Sequence, residues 1–289
     1  MSLVADLERR FGAPGILRIE EGRGSLPRVS VTSDLAAAEI YLHGAHLTQW
    51  QPRGAKPVLF MSEESLFEPG KPIRGGVPVC FPWFGPKPDS PAHGFARIRE
   101  WNLESCKIEP GGSVGAAFRL ESDESTLGLT FTIGRTLEMV LEVRAKAAFT
   151  FEEALHTYFA VGDVRQATVE GLENTDYLDK VESFKRKKQP AEPIRIVGET
   201  DRVYLNTRTP CVVRDPVAGR TLTIEKEGSG TTVVWNPWIA KSKAMADFGD
   251  DEWPRMICVE TANVGDGAVR LEAGGSHRMR VHIRVADRA

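Results

Sequence analysis

The stretch Gly128–Lys146, GLTFTIGRTLEMVLEVRAK, decides the fold class. Apolar and polar residues alternate along it, with a Gly-Arg interruption near the middle. Alternation at period two sends successive side chains to opposite faces of an extended chain, the pattern of a half-buried strand. Shorter alternating or β-branched runs recur on both sides: RVSVTS, AEIYLHG, AAFRLES, FTFEEALHTYFAV, QATVEGL, RTLTIEKE, TTVVWNP, RMICVETA and HRMRVHIRVA. Gly, Pro, Asn and Asp clusters punctuate them. Strands and turns in this succession predict an all-β chain, a large antiparallel sandwich. The exception is residues 2–11, where Leu3, Val4, Leu7 and Phe11 fall on one face of a short amphipathic helix. The 27 glycines and 18 prolines are dispersed through the turns, with no linker and no fixed-period repeat. A single domain over 1–289 is expected.

Composition excludes several function classes. The net charge is −3 and the sequence pI about 6.1, so no general basic field draws the chain to nucleic acid or anionic lipid. An anionic ligand would have to be caught by a local group of cations. Cys80, Cys106, Cys211 and Cys258 are widely spaced, which suits reduced, buried thiols in a cytoplasmic protein. The start, MSLVADLERRFG, lacks the apolar core of a signal peptide, and no run is long enough to span a bilayer.

Residues 69–97, PGKPIRGGVPVCFPWFGPKPDSPAHGFAR, break the strand pattern. Seven prolines rule out a central strand, because each removes a ladder donor. Val77, Val79, Phe81, Trp83, Phe84 and Phe95 need burial, so an ordered loop lining a pocket is expected. Arg74 and Arg97 on this loop could clamp a phosphate bidentately, or serve as ordinary paired surface arginines. Gly75-Gly76 beside Arg74 would permit close backbone approach to a ligand.

Two further residues invite chemistry. If 149–161 is one strand, His156 shares a face with Thr150, Glu152, Ala154 and Tyr158, opposite the phenylalanines. That placement suits a proton donor, although a lone strand histidine is more often structural. Glu260 ends RMICVE, a strand apolar on both faces, where an ionised carboxylate is costly unless it is paired or has a task. The bland alternative is a glutamate held by backbone amides. His43 and His46 lack a third ligand at zinc-like spacing, and no metal is expected. The basic run FKRKKQP (184–190) reads as a solvated loop with a possible share in anion capture. Trp83, Trp235 and Trp238 could stack on a sugar, or simply pack. No nucleotide-binding glycine motif is present.

Taken together the segments resemble the hexose-6-phosphate 1-epimerase family, a branch of the galactose-mutarotase-like, aldose-1-epimerase-related proteins. The matching runs, in order, are GAHLTQWQP (44–52), PIRGGVPVCFPWFG (72–85), HGFAR (93–97), ALHTYFAVGD (154–163), VEGLENTDYLDK (169–180), ETDRVY (199–204), VVWNPW (233–238) and MICVETANV (256–264). The resemblance implies a β-supersandwich with the sugar in a cleft on one sheet. It implies His156 as catalytic acid and Glu260 as catalytic base. Arg74 and Arg97 would bind the phosphate end, Asp201 and His93 the sugar. One departure stands out: the family often has glutamine before HGFAR, and here that residue is Ala92.

Anomer exchange needs only a base on the C1 hydroxyl and an acid on the ring oxygen, with no cofactor. For that chemistry Glu260 is expected ionised and His156 protonated, as a charge pair in one cleft. The expected ligand is a hexose phosphate, most simply glucose 6-phosphate, and the expected state a monomer. Two alternatives stay open at this point: an epimerase for neutral hexoses, with the arginines in structural ion pairs, and a carbohydrate-binding sandwich without catalysis.

Overall fold

The computed structural model describes residues 2–287. Helix α1 (Leu3–Phe11) opens the chain, and the Ser2 hydroxyl caps it by accepting from the Ala5 amide. Leu7 is buried and Val4 and Phe11 pack on the core, whereas Leu3 stays exposed, so the expected apolar face narrows by one residue.

Gly128–Lys146 lies in the middle of a nine-stranded sheet. Ser125–Ile133 and Thr136–Ala145 form an antiparallel hairpin that sets Leu129 opposite Leu141 and Phe131 opposite Met139. Their apolar alternates are buried, as the period-two reading requires. From one edge the sheet runs Ile194–Arg195, Thr168–Glu170, Cys211–Asp215, Arg220–Glu227, Ser276–Asp287, the hairpin in reverse order, Val114–Glu121 and Asn102–Ile108. A four-stranded sheet between Leu17 and Pro52 and a two-stranded ribbon of Phe149–Phe151 with Val269–Leu271 complete that part of the fold.

The eight-stranded sheet carries the chemistry, and its strands are labelled here in chain order: β1 (Val79–Cys80), β2 (Glu153–Leu155), β3 (Tyr158–Ala160), β4 (Asp176–Asp179), β5 (Lys185–Lys188), β6 (Thr200–Leu205), β7 (Thr231–Asn236) and β8 (Met256–Asn263). They lie side by side in the order β5-β4-β6-β7-β8-β2-β1, with β3 also pairing with β8. Every position of β7 and β8 is buried, because both faces of these central strands are covered. A second helix, α2 (Trp238–Ala244), follows β7 and escaped the sequence reading. Its seven residues are too few to show a helical period.

Three sequence expectations change here. The run 149–161 is not one strand but three short ones in two sheets, interrupted at His156-Thr157. β8 does not end at Glu260 but continues to Asn263, so the carboxyl group sits inside the strand. The loop 69–97 is irregular as expected, yet it contributes β1, a two-residue strand at the sheet edge.

One buried cation ties the layers together. Arg220, 4% exposed, donates to the carbonyls of Lys56, Pro57 and Ala160, the last at the end of β3. Its Nε lies 3.7 Å from Asp215, itself fully buried and accepting from the Gly162 and Ala218 amides. Removing the guanidinium strands three carbonyls and an acid at once. Arg220→Ala is therefore expected to lower stability by about 3–5 kcal/mol, read as a fall in the urea midpoint at unchanged m-value. A change below about 1 kcal/mol would mean the layers are held by packing alone.

Candidate active site

Strand register assembles the site. Asp201 on β6, Trp235 on β7, Cys258 on β8 and Tyr158 on β3 are direct neighbours across the sheet. The period of two puts Glu260 on the same face as Cys258. His156 comes two residues before Tyr158, where the Thr157 amide turns back to the Leu155 carbonyl and ends β2. The His156 and Tyr158 rings stack with centroids 4.8 Å apart and planes 14° apart.

His156 Nε2 lies 3.3 Å from Glu260 Oε1, and both residues are buried, at 7% and 1% exposure. The approach is close but not aligned. Neither carboxyl oxygen, nor His156 Nδ1, has a hydrogen-bond partner among the described residues. No backbone amide caps Glu260, so the structural reading of this residue does not hold.

The loop 69–97 supplies the opposite wall. Together with the sheet it encloses a cavity of about 260 Å³ lined by Arg74, Ala92, His93, Arg97, His156, Tyr158, Lys180, Asp201, Trp235, Lys241 and Glu260, among others. That size lies just below the common range for small-molecule clefts, about 300–1,000 Å³. All six residues singled out from the sequence (Arg74, His93, Arg97, His156, Asp201 and Glu260) therefore meet in one place.

The two arginines differ. Arg74 donates through Nε and Nη2 to Asp247 Oδ2 and through Nη1 to the Tyr158 hydroxyl. Arg97 is 7% exposed, donates from Nη2 to the Ala92 carbonyl at 2.6 Å, and leaves Nε without a partner. No carboxylate pairs with it among the described residues, which makes it a buried cation facing a cavity. Ala92 contributes its backbone carbonyl to hold Arg97. His93 adopts a left-handed backbone with φ of 63°. Its Nδ1 accepts from the Gly85 amide at 3.3 Å, and its ring meets that of His156 edge-on at 5.6 Å.

Gly75-Gly76 serves packing rather than a ligand. A Cβ on Gly75 would fall 2.5 Å from the Phe60 carbonyl oxygen, and one on Gly76 would fall 2.3 Å from that of Leu47. Neither glycine lines the cavity. The same segment is fastened by the two histidines once weighed as metal ligands. His43 Nε2 contacts the Lys71 carbonyl and His46 Nε2 the Gly75 carbonyl. Full burial holds His46 neutral, with a pKa of about 3. The histidines bond different carbonyls and anchor the arginine loop.

Two cations in the cavity were missed. Lys180 lies 3.2 Å from Asp201 Oδ2 and 5.0 Å above the Phe84 ring, and Lys241 on α2 pairs with Glu199 at 3.1 Å. Lys180 stands at the end of the quoted run VEGLENTDYLDK, but only the β6 pairing reveals its partner. The basic run 184–190 stays outside the cavity, its Lys185, Arg186 and Lys187 engaged by Glu182, Asp176 and Asp179. Among the three candidate tryptophans, Trp235 alone lines the cavity; Trp83 bonds the Pro91 carbonyl and Trp238 packs on Trp253.

Electrostatics overturn the expected charge pair. Burial, then His93 and the guanidiniums of Arg97 and Arg74, hold the proton affinity of His156 well below the usual histidine range. Burial, then the charge of Asp201, lifts Glu260 well above the usual carboxyl range, with Lys180 opposing. Both shifts favour the neutral form of each group, the reverse of the expected charge pair. Burial lowers His93 in the same way and raises Asp201. Donor atoms of His156, Cys258 and Glu260 come within 4.8 Å of one another. Burial raises the proton affinity of the Cys258 thiol, and the cations Arg74, Arg97 and Lys180 share the cavity.

What the arrangement offers is an adjacent acid and base in a cationic cleft of monosaccharide size. Comparison with known proteins agrees. A family model described as aldose 1-epimerase matches residues 27–284. A protein of Escherichia coli (strain K12), provisionally named a glucose-6-phosphate 1-epimerase, is 37% identical over 262 residues, covering 87% of each chain. One of the same provisional name from Cenchrus ciliaris is 35% identical, covering 85% of this chain and 80% of its own. The crystal structure of a provisionally assigned mutarotase from Salmonella typhimurium superposes with a TM-score of 0.85 at 33% identity, covering 94% and 97% of the two chains. A galactose 1-epimerase from Lactobacillus acidophilus shares the fold at 12% identity and a TM-score of 0.74, covering 94% of this chain and 98% of its own. The chain belongs to the aldose 1-epimerase family.

Proposed function

We propose that the protein interconverts the α and β anomers of a hexose 6-phosphate, glucose 6-phosphate being the first substrate to test. The observation that carries the phosphate is Arg97, a buried guanidinium without a carboxylate partner that lines the cavity. An isolated buried charge is costly, and an anionic ligand would satisfy it. The relatives' names point the same way. One hydrophobic core runs from Leu7 to Ile283, which supports a single domain. Four buried free thiols support a cytoplasmic setting.

The ring oxygen and the C1 hydroxyl share one carbon, so an acid and a base already in contact can reach both. In ring opening, the Glu260 carboxylate takes the O1 proton while the His156 imidazolium gives its proton to the ring oxygen. The C1–O5 bond breaks to the open-chain aldehyde. Rotation about C1–C2 exposes the other carbonyl face. Reclosure then returns a proton from Glu260 to O1 and takes one from the O5 hydroxyl onto His156. After ring opening the pair is neutral, the arrangement burial favours in the resting protein. Asp201, Lys180 and His93 are placed to hold sugar hydroxyls, and the Trp235 ring walls the cavity. Expulsion of water strengthens each of these contacts.

Two outcomes test this reading. By anomer-exchange NMR with glucose 6-phosphate, His156→Asn and Glu260→Gln are each expected to lose about 10²- to 10⁴-fold in kcat. In Arg97→Ala, the ratio of kcat/KM for glucose 6-phosphate over glucose should fall at least about tenfold, the effect of one lost charged hydrogen bond. Near-normal turnover in the first two variants, or an unchanged ratio in the third, contradicts the assignment.

Glu260→Gln is also expected to stabilise the fold at neutral pH, because glutamine has no charge to bury. The sign follows from linkage. A carboxyl whose folded-state pKa is raised destabilises the native state as pH rises above its unfolded value and has no effect below it. The gain should shrink to nothing as pH falls below the ordinary glutamate range, and a gap constant with pH would contradict it.

A further inference from the structure

The cations of the cavity are not evenly spread about the reacting pair. His156 is faced by Glu260 and Cys258 from β8, by Tyr158 from β3, and by His93, Arg97 and Arg74 from the loop wall. Asp201 and Lys180, on the far side of Trp235, act on Glu260 instead. The arginine pole thus abuts the imidazole: Arg74 Nη1 is 3.1 Å from the Tyr158 hydroxyl, and the Tyr158 ring stacks on His156. These positive charges oppose a proton on His156. Ring opening needs one there.

The nearest proton donor to His156 Nε2 in the cleft is the Glu260 carboxyl group, whose Oε1 lies 3.3 Å away. What the empty protein lacks is a reason for that proton to cross. An anion on Arg97 offsets the arginine charges that add to burial in disfavouring a proton on His156. The transfer is internal: the Glu260 O–H bond breaks, an N–H bond forms at His156 Nε2, and no proton enters or leaves.

Resting on the proposed function, we propose that the substrate's phosphate dianion is an activator as well as a handle. Seated on Arg97 and beside Arg74, it drives the shared proton from Glu260 to His156 and so creates the charge pair that opens the ring. Preference for phosphorylated sugars then resides in the chemical step and not only in binding. The activating anion need not be attached to the sugar.

The test supplies the two pieces separately. D-Glucose anomer exchange is followed by NMR in the presence of phosphite or inorganic phosphate, with glucose 6-phosphate as the reference. Saturable activation of glucose turnover by free dianion is expected, at least about tenfold, corresponding to a one-unit rise in the proton affinity of His156. It should be absent in Arg97→Ala and partly retained in Arg97→Lys. Dianion that leaves glucose turnover unchanged, or only inhibits it, while glucose 6-phosphate turns over normally, overturns the inference and spares the proposed function. Failure of glucose 6-phosphate itself to turn over defeats the proposed function.

A second readout does not depend on activity. In ¹³C-histidine-labelled protein, with His156→Asn for assignment, added phosphate should move the His156 titration to higher pH. An unmoved titration with phosphate bound also overturns the inference.

Discussion

Glu260 and His156 are buried against each other, 3.3 Å apart and with no other partner for the facing atoms, and the rest of the cleft is arranged around that contact. Each group prefers its neutral form in such a place, so together they hold one proton that either can carry. A pair satisfied by backbone amides would be more stable and less useful. In the proposed reaction a hemiacetal supplies the hydrogen bonds that the pair lacks.

Holding two unsatisfied groups in register requires a stiff frame. β7 and β8 are buried at every position, and the neighbouring β6 and β3 complete the row from Asp201 to Tyr158. Arg220 fixes the end of β3 to the nine-stranded sheet, while His43 and His46 pin the arginine loop through the Lys71 and Gly75 carbonyls. Two glycines let that loop press against Phe60 and Leu47. Residues that looked like chemistry in the sequence are here carpentry, and the cavity keeps its shape because of them.

The all-β class was legible because period-two alternation is a local property, and Gly128–Lys146 keeps it over two whole strands. His156 and Glu260 were legible as anomalies, a histidine away from the phenylalanines and an acid in an apolar strand. Their charge states were not, because proton affinity depends on the neighbours that burial brings together. Lys180 and Lys241 escaped notice for a related reason. A lysine among other charged residues looks solvated until register sets Lys180 beside Asp201 and α2 turns Lys241 into the cavity. The interruption at His156-Thr157 also left no local mark: β2 and β3 pair with β8 in one register, and only the outer neighbour changes, from β1 to Leu59.

A neutral sugar could open its ring in such a cleft, but the two arginines on the imidazole's side would work against the acid. A phosphate turns that same feature into an advantage, which joins substrate choice to proton placement. The account rests on where the proton lies before substrate arrives. Infrared difference spectroscopy of the ligand-free protein against Glu260→Gln at neutral pH reads this directly. The carbonyl stretch of a protonated carboxyl group, present in the wild type and missing from the variant, is the predicted result. A difference spectrum containing only carboxylate bands would place the proton elsewhere and contradict the account.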